Sequence, residues 1–493
     1  MIRRLSCILA VVIVMVALLR IDSASTPPST RDELSAHPSL AGATVGSTWY
    51  CPAAGAGTPE PLAHHVTITN PERHVLNARL TAYKSTAGTP PRTVQVPALS
   101  QLDVTMSDLA TEPGGVVVEL IDGRGTVSHR LFGSNADETG RCTDTPSATW
   151  YFPAANTELG SSAALWLLNP FPTDASVNIS IATPDGVRIP PALDGVVIAG
   201  GTSRRIDLAE SAQRRPQFAF SVVAKSGQIV AELAEVSDVE GGAHGLRMQM
   251  GVADPHDQWL FADGFGGDKT DEQFTIYNTE DVAVHASMSI VPAGADSTTM
   301  PEPFEIDIPA HRYSVVDLDA ETRIADDGLR WASIEASGAV AVERVVSMLG
   351  EGGDGTARGR PKVRSGLANS TGSSVSAHQW LVDGMDPATD SESVVLITNP
   401  SADAIAVVQV QAIVGGTSTP IGGKVEVQAG TTLAIDVSGA FPSAAGSIMV
   451  ESPVGIVVEG RSTSGTRHDL SVVQAVPFDA DLAPLPALDA GTH

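Results

Sequence analysis

The chain is expected to be all-β: a tandem array of four β-sandwich modules after an N-terminal signal or anchor segment. Three observations lead there. Trp49, Trp150, Trp259 and Trp380 each open an apolar run that stops at Asn70, Asn169, Asn278 and Asn399, 21 residues on in the first case and 19 in the others. Self-similarity with a period of about 100–120 residues marks a tandem array. Between these landmarks lie short β-branched or aromatic runs, with turn signals every ~8–12 residues, as in a sandwich. No long segment carries a 3.6-residue period.

The elements follow in order. Arg3 and Arg4 precede an almost unbroken apolar run from Leu5 to Leu19. That is a signal-peptide core in length and short for a membrane span, which needs about 20 residues. Ser23-Ala24-Ser25 offers small residues for cleavage, although no Ala-x-Ala is present. Residues 1–25 therefore read as a signal peptide or a membrane anchor, and 26–43, rich in Ser, Thr, Pro and Ala, as a flexible stalk. The modules span 44–145, 146–253, 254–350 and 378–478. A Gly/Ser-rich loop and linker, 351–377, separates the last two, and 479–493 is an Ala/Pro/Asp-rich tail expected to be disordered.

Within a module, the Trp strand is followed by runs such as Leu165-Trp166-Leu167-Leu168 or Val394-Val395-Leu396-Ile397 that end at the Asn. Three of these Asn residues precede Pro, which removes a backbone donor; Asn278 precedes Thr279. A later strand ends at Asp103, Asp207, Asp317 or Asp436, and 207–213 and 317–324 are each long enough for one helical turn. A late hairpin should close each module, carrying Glu232, Glu343 and Glu459 in modules two to four and Arg130 at the corresponding place in module one.

Composition narrows the function. A formal charge of −27 argues against nucleic acid and anionic lipid as partners, since both need clustered Lys and Arg. It suits a soluble exported protein whose contact with a membrane is confined to its N-terminal segment. The cysteines are Cys7, within the apolar run, and Cys51 and Cys142 near the two ends of module one. An even pair in an exported region favours a disulfide over two reduced thiols. No CxxC, zinc-like His spacing, Gly-x-Ser-x-Gly, His-Glu-x-x-His or phosphate loop is present, so no metal or cofactor is expected and the protein reads as a non-enzyme.

Trp259 through Gly264, Trp380 through Gly384, Asn169-Pro170, Asn399-Pro400 and Val342-Glu343-Arg344 carry a resemblance. The pattern resembles a repeat of bacterial surface proteins and is similar to the sensory-rhodopsin-transducer β-sandwich. Gly241-Gly242-Ala243-His244 matches the loop that follows in such repeats. Over about residues 44–478 the chain also resembles an uncharacterised actinobacterial exported family of unknown function. The resemblance implies a sandwich fold and an extracytoplasmic location, and says little of activity.

The candidate binding residues are Trp259, Asp263, Glu343, Arg344, Trp380, Asp383 and Glu459. An exposed indole with acids beside it would make a platform for a cell-envelope glycan or a surface protein. The competing reading is structural: a Trp at a strand entry closes a sandwich core, and a buried carboxylate must be paired. Convergent acids could also form the carboxylate pair of a glycan hydrolase. The acidic loops 263–272 and 383–392 match no Ca²⁺ motif and read as solvated. Oligomeric state is not legible. On the structural reading, Trp259→Ala or Trp380→Ala destabilises its module by roughly 3–5 kcal/mol. Chemical denaturation measures this; a change below about 0.5 kcal/mol, typical of surface positions, would show an exposed platform instead.

Overall fold

The computed structural model describes residues 47–56, 62–133, 137–240, 242–267, 270–294, 300–324, 328–349, 365–385, 391–441, 445–464, 470–479 and 482–486. The signal or anchor segment, the stalk, the basic stretch containing Arg358, Arg360, Lys362 and Arg364, and the last residues of the tail lie outside these.

The chain is all-β, organised in several antiparallel sheets. Unit one shows the plan. Its strands are β1 (Thr48–Cys51), β2 (Ala63–Asn70), β3 (Leu76–Tyr83), β4 (Arg92–Val96), β5 (Ser100–Thr105), β6 (Gly115–Ile121), β7 (Thr126–Phe132) and β8 (Asp137–Arg141). One sheet has the order β1-β6-β3-β4 and the other β5-β2-β7-β8. Their facing sides are apolar because the strands alternate. In unit two, Val177, Ile179 and Ile181 of Ala175–Thr183 are buried while Ser176, Asn178 and Ser180 are partly exposed. The Cys51–Cys142 disulfide ties β1 of one sheet to the residue after β8 of the other.

The expected late hairpin is not one. Phe218–Ser226 and Val230–Asp238 pair with different neighbours in different sheets. The turn between them carries the chain across the core. In units three and four the same passage is one continuous strand, Gly328–Leu349 or Gly446–Ser464. The first half of Gly328–Leu349 pairs with His256–Gly266 and Val284–Pro292, and its second half with Thr270–Asn278 and Ser365–Ser370. Period-two alternation identifies strands but not their partners, so two runs about a short turn look like a hairpin in either case. Likewise Ser365–Ser370, inside the expected linker, is the last strand of unit three. Of the two expected helical turns, Leu208–Glu210 is a 3₁₀ turn capped by Asp207, which accepts the Ala209 N–H at 3.0 Å, whereas 318–324 forms turns only.

The recurring Asn is a buried plug. Asn169 Nδ2 donates to Thr173 O at 2.8 Å and Ile198 O at 3.0 Å, and its Oδ1 accepts the Phe171 N–H at 3.1 Å. Asn70, Asn278 and Asn399 make the same three kinds of bond. Each closes a turn and ties it to a neighbouring segment. The recurring Trp residues are buried too, 1–5% exposed, and their indole N–H groups are satisfied internally: Trp150 donates to Ile229 O at 3.0 Å and Trp380 to Ile456 O at 2.8 Å.

The four stretches that begin at Trp49, Trp150, Trp259 and Trp380, called units here, meet through their last strands. These are β8, His244–Met250, Ser365–Ser370 and Leu470–Gln474. Each packs against the next, and Leu470–Gln474 returns to β8. Glycine permits the approach: a Cβ on Gly366 would stand 2.7 Å from Leu470 N and Cβ, and one on Gly245 would stand 2.8 Å from Leu367 N. Gly366→Ala is therefore expected to lower stability by about 1–3 kcal/mol, the range for an overpacked core. A thermal or urea midpoint equal to that of the parent chain would refute such close packing at the axis.

Candidate functional site

The acids singled out in the sequence meet between units, and the strand ladders explain why. Glu232 lies opposite Trp166, Glu343 opposite Thr275 and Glu459 opposite Leu396, each three residues before the plug Asn. The matching partner in unit one is Thr67, and opposite it stands Ser128, not Arg130. Arg130 instead pairs with Asp137 within its own unit. The expected correspondence was off by two residues because a sequence cannot fix ladder register through a turn.

Each Glu reaches back to the preceding unit and accepts the backbone N–H of the residue four after that unit's Trp. Glu232 Oε2 takes the N–H of Ala53 at 2.8 Å, Glu343 Oε2 that of Ala154 at 3.0 Å, and Glu459 Oε2 that of Asp263 at 2.8 Å. All three carboxylates are at most 2% exposed. The second oxygen is satisfied differently at each interface.

Between units one and two, Glu232 Oε1 is 2.9 Å from His129 Nε2, and His129 Nδ1 is 3.1 Å from His64 Nε2. A carboxylate only accepts, so the His129 Nε2–H donates to Glu232, and a neutral His129 accepts at Nδ1 the hydrogen bond of the His64 Nε2–H. Burial, with His129 and His65 adding to it, pushes the His64 pKa well below the usual imidazole value. Between units two and three, Arg247 donates to Glu343 Oε1 at 2.7 Å and grips both oxygens of Glu235, at 3.1 and 2.9 Å. Burial raises the Glu343 pKa to about 8; Arg247 opposes the shift and Glu235 reinforces it. Between units three and four, Ser370 Oγ donates to Glu459, and Arg461 Nη1 donates to Asp263 Oδ1 at 2.6 Å. Arg344 binds Glu272 and stands 3.7 Å from Asp263. Arg330 Nε also donates to Glu272, at 2.9 Å. Buried arrays of this kind fix partner and register; losing one member typically costs about 3–5 kcal/mol.

The seam between units four and one is built in reverse. Ser128 is too short to cross it. Instead Asp383 of unit four stands against Thr69 and Thr126 of unit one, with Arg141 at longer range. One of its oxygens is buried without a hydrogen-bond partner. Gly384 abuts Thr139, Gly416 N donates to Leu99 O at 2.9 Å, and the Arg124 guanidinium lies 4.7 Å from the Phe478 ring centroid. Val476 joins the core formed by Trp49, Cys51 and Cys142.

The structure thus brings Asp263, Arg344 and Glu459 together, places Glu343 and Asp383 at separate interfaces, and seals Trp259 and Trp380 in cores. All seven candidates are buried, and their loops are not solvated where described: Asp263, Glu272 and Asp383 are inside. Sequence reasoning missed His64, His129, Glu235, Arg247 and Glu272. The His64-His65 pair and the isolated charges within apolar strands were the available signals. Among the described residues no group of three or more His, Cys, Asp or Glu is placed to hold a metal ion, and no helix is long and apolar enough to cross a membrane.

A family of unknown function, DUF5719, matches residues 136–322. No curated protein matches the chain. Among solved structures, a crystal structure of Thermotoga maritima 1070 aligns with 22% of this chain and 93% of its own, at 18% identity and a TM-score of 0.19.

The half-satisfied Asp383 yields a pH signature. Burial raises its pKa from 3.8 to about 6, against the opposing pull of Thr126, Thr69 and Arg141. Between these values the folded chain holds a proton that the unfolded chain has released. The contribution is present in full below about pH 4 and declines as pH rises through 6, by up to about 3 kcal/mol. Asp383→Asn should match the parent in stability at pH 4 and exceed it at pH 7.5. Denaturation at the two pH values measures the difference; a variant less stable at both would show that the carboxylate is well solvated or paired.

Proposed function

We propose that the protein is a non-enzymatic, extracytoplasmic scaffold of the cell envelope. In this reading four β-sandwich modules form a closed ring, carried by an N-terminal segment that serves as signal peptide or anchor. The ring presents its outer surface to an envelope glycan or a surface protein. The chain would then be an exported protein of an uncharacterised family with transducer-like sandwich repeats. One observation carries the reading: the candidate acids and arginines are buried between units, bonded to a neighbour's backbone or side chains. Such groups hold a shape. The disulfide of the first unit is compatible with an oxidising compartment. The same sealing also favours a second reading, a ligand-free spacer.

Purified protein mixed with isolated envelope fragments separates these readings. Saturable co-sedimentation without release of soluble sugar is the expected result. Turnover of envelope glycan above a protein-free blank would overturn the non-enzymatic assignment, and absence of sedimentation would favour the spacer.

A further inference from the structure

Where the units meet, a cavity of about 480 Å³ lies over the four recurring tryptophans. Thr145 on its lining is exposed, so it communicates with solvent. One layer of the lining comes from equivalent places in the four last strands. Arg141 faces Ser128 across its ladder, Met250 faces Glu232, Gln474 faces Glu459, and Thr371 directly follows Ser370, which faces Arg344. Three of the four residues in this layer are neutral. Thr371 Oγ1 donates to Gln474 Oε1 at 3.2 Å, and Gln474 donates to Gly372 O, so that side is internally satisfied.

Arg141 differs. It is the single cation among the lining residues. Among the described residues no acceptor lies within hydrogen-bonding distance of its guanidinium, and no carboxylate is in ion-pair contact with it; Asp144 and Asp383 act only at longer range. Burial outweighs those two acids and lowers its pKa from the usual guanidinium value. Arg141 is half-buried, and an anion bound in the cavity would supply the guanidinium with the partner that the described residues do not. A guanidinium presents a planar fork that matches a carboxylate. Asp144, Asp254 and Glu459 also line the cavity, which disfavours a dianion. The rest of the wall includes the four tryptophans, Met250 and Val252, suited to a compact apolar body.

We propose that this cavity is a binding site for a small monocarboxylate with an apolar body, anchored by Arg141. The site goes beyond the scaffold reading and stands whether or not that reading does.

The test uses the purified full-length chain with benzoate, benzamide, acetate and inorganic phosphate as probes. Four of the six tryptophans line the cavity, so their fluorescence reports occupancy. Benzoate is expected to give a saturable change and a higher melting temperature, as any ligand of the folded state does. Acetate should bind more weakly and benzamide not measurably. Arg141→Gln should weaken benzoate binding about tenfold or more, the range for a charge-assisted hydrogen bond. Arg92→Gln, on an exposed strand, should leave it unchanged. Without ligand, Arg141→Gln should melt at or above the parent temperature, since it removes no hydrogen bond or ion pair to the described residues. Equal binding of benzamide, preference for phosphate, no saturable response to any probe, an Arg141→Gln variant that binds as the parent does, or one that melts well below the parent without ligand would each overturn the assignment.

Discussion

A carboxylate oxygen from one unit accepting a backbone N–H from the unit before it is the interaction on which the assembly rests. Three interfaces repeat it, through Glu232, Glu343 and Glu459. The bond is directional, lies in a dry interior and uses a main-chain donor, so it fixes where the neighbour's strand runs whatever side chain that strand carries. Ala53, Ala154 and Asp263 can therefore occupy equivalent places. Leaving such a carboxylate unbonded would be far more unfavourable than making the bond is favourable, so the units are held in one register more by the penalty of misalignment than by gross attraction.

Around that common bond the second oxygen has diverged: a histidine chain, a shared arginine, a serine hydroxyl. The variation follows from which residue of the preceding unit stands beside each Glu. His129, Arg247 and Ser370 differ in charge and reach but share the ability to donate. Repeats of one plan can thus drift apart in sequence while keeping one geometry.

The strand content and the disulfide were legible in the chain, as was the recurrence of Trp and Asn. Trp and Asn are rare enough for their recurrence to stand out, and each has one structural reason to be where it is: a large side chain that fills a core and an amide that plugs a turn. The seven candidate residues were identifiable as unusual but not as buried, because period-two alternation assigns a face and does not say whether another unit covers it. Arg130 and Ser128 show the sharper limit: register across a turn shifts by single residues, and a carboxylate assigned two positions away meets a different neighbour. The packing of Leu470–Gln474 against β8 was not legible at all, since it comes with contacts such as that between Gly384 and Thr139, far apart in sequence and ordinary in composition.

The reversed seam has a consequence for how the protein is made. β8 must pack against Leu470–Gln474, whose first residue follows Gly140 by 330 positions. At ordinary rates of synthesis that interval is roughly 20–70 s. The first face to be completed is thus the last to find its mate, and for that time Thr69, Thr126 and the end of β8 stand open to water and to other chains. A seam that places hydroxyls there and leaves the single small carboxylate to the last unit, rather than a long Glu waiting for a distant amide, is an edge that can bide its time without sticking to the wrong partner.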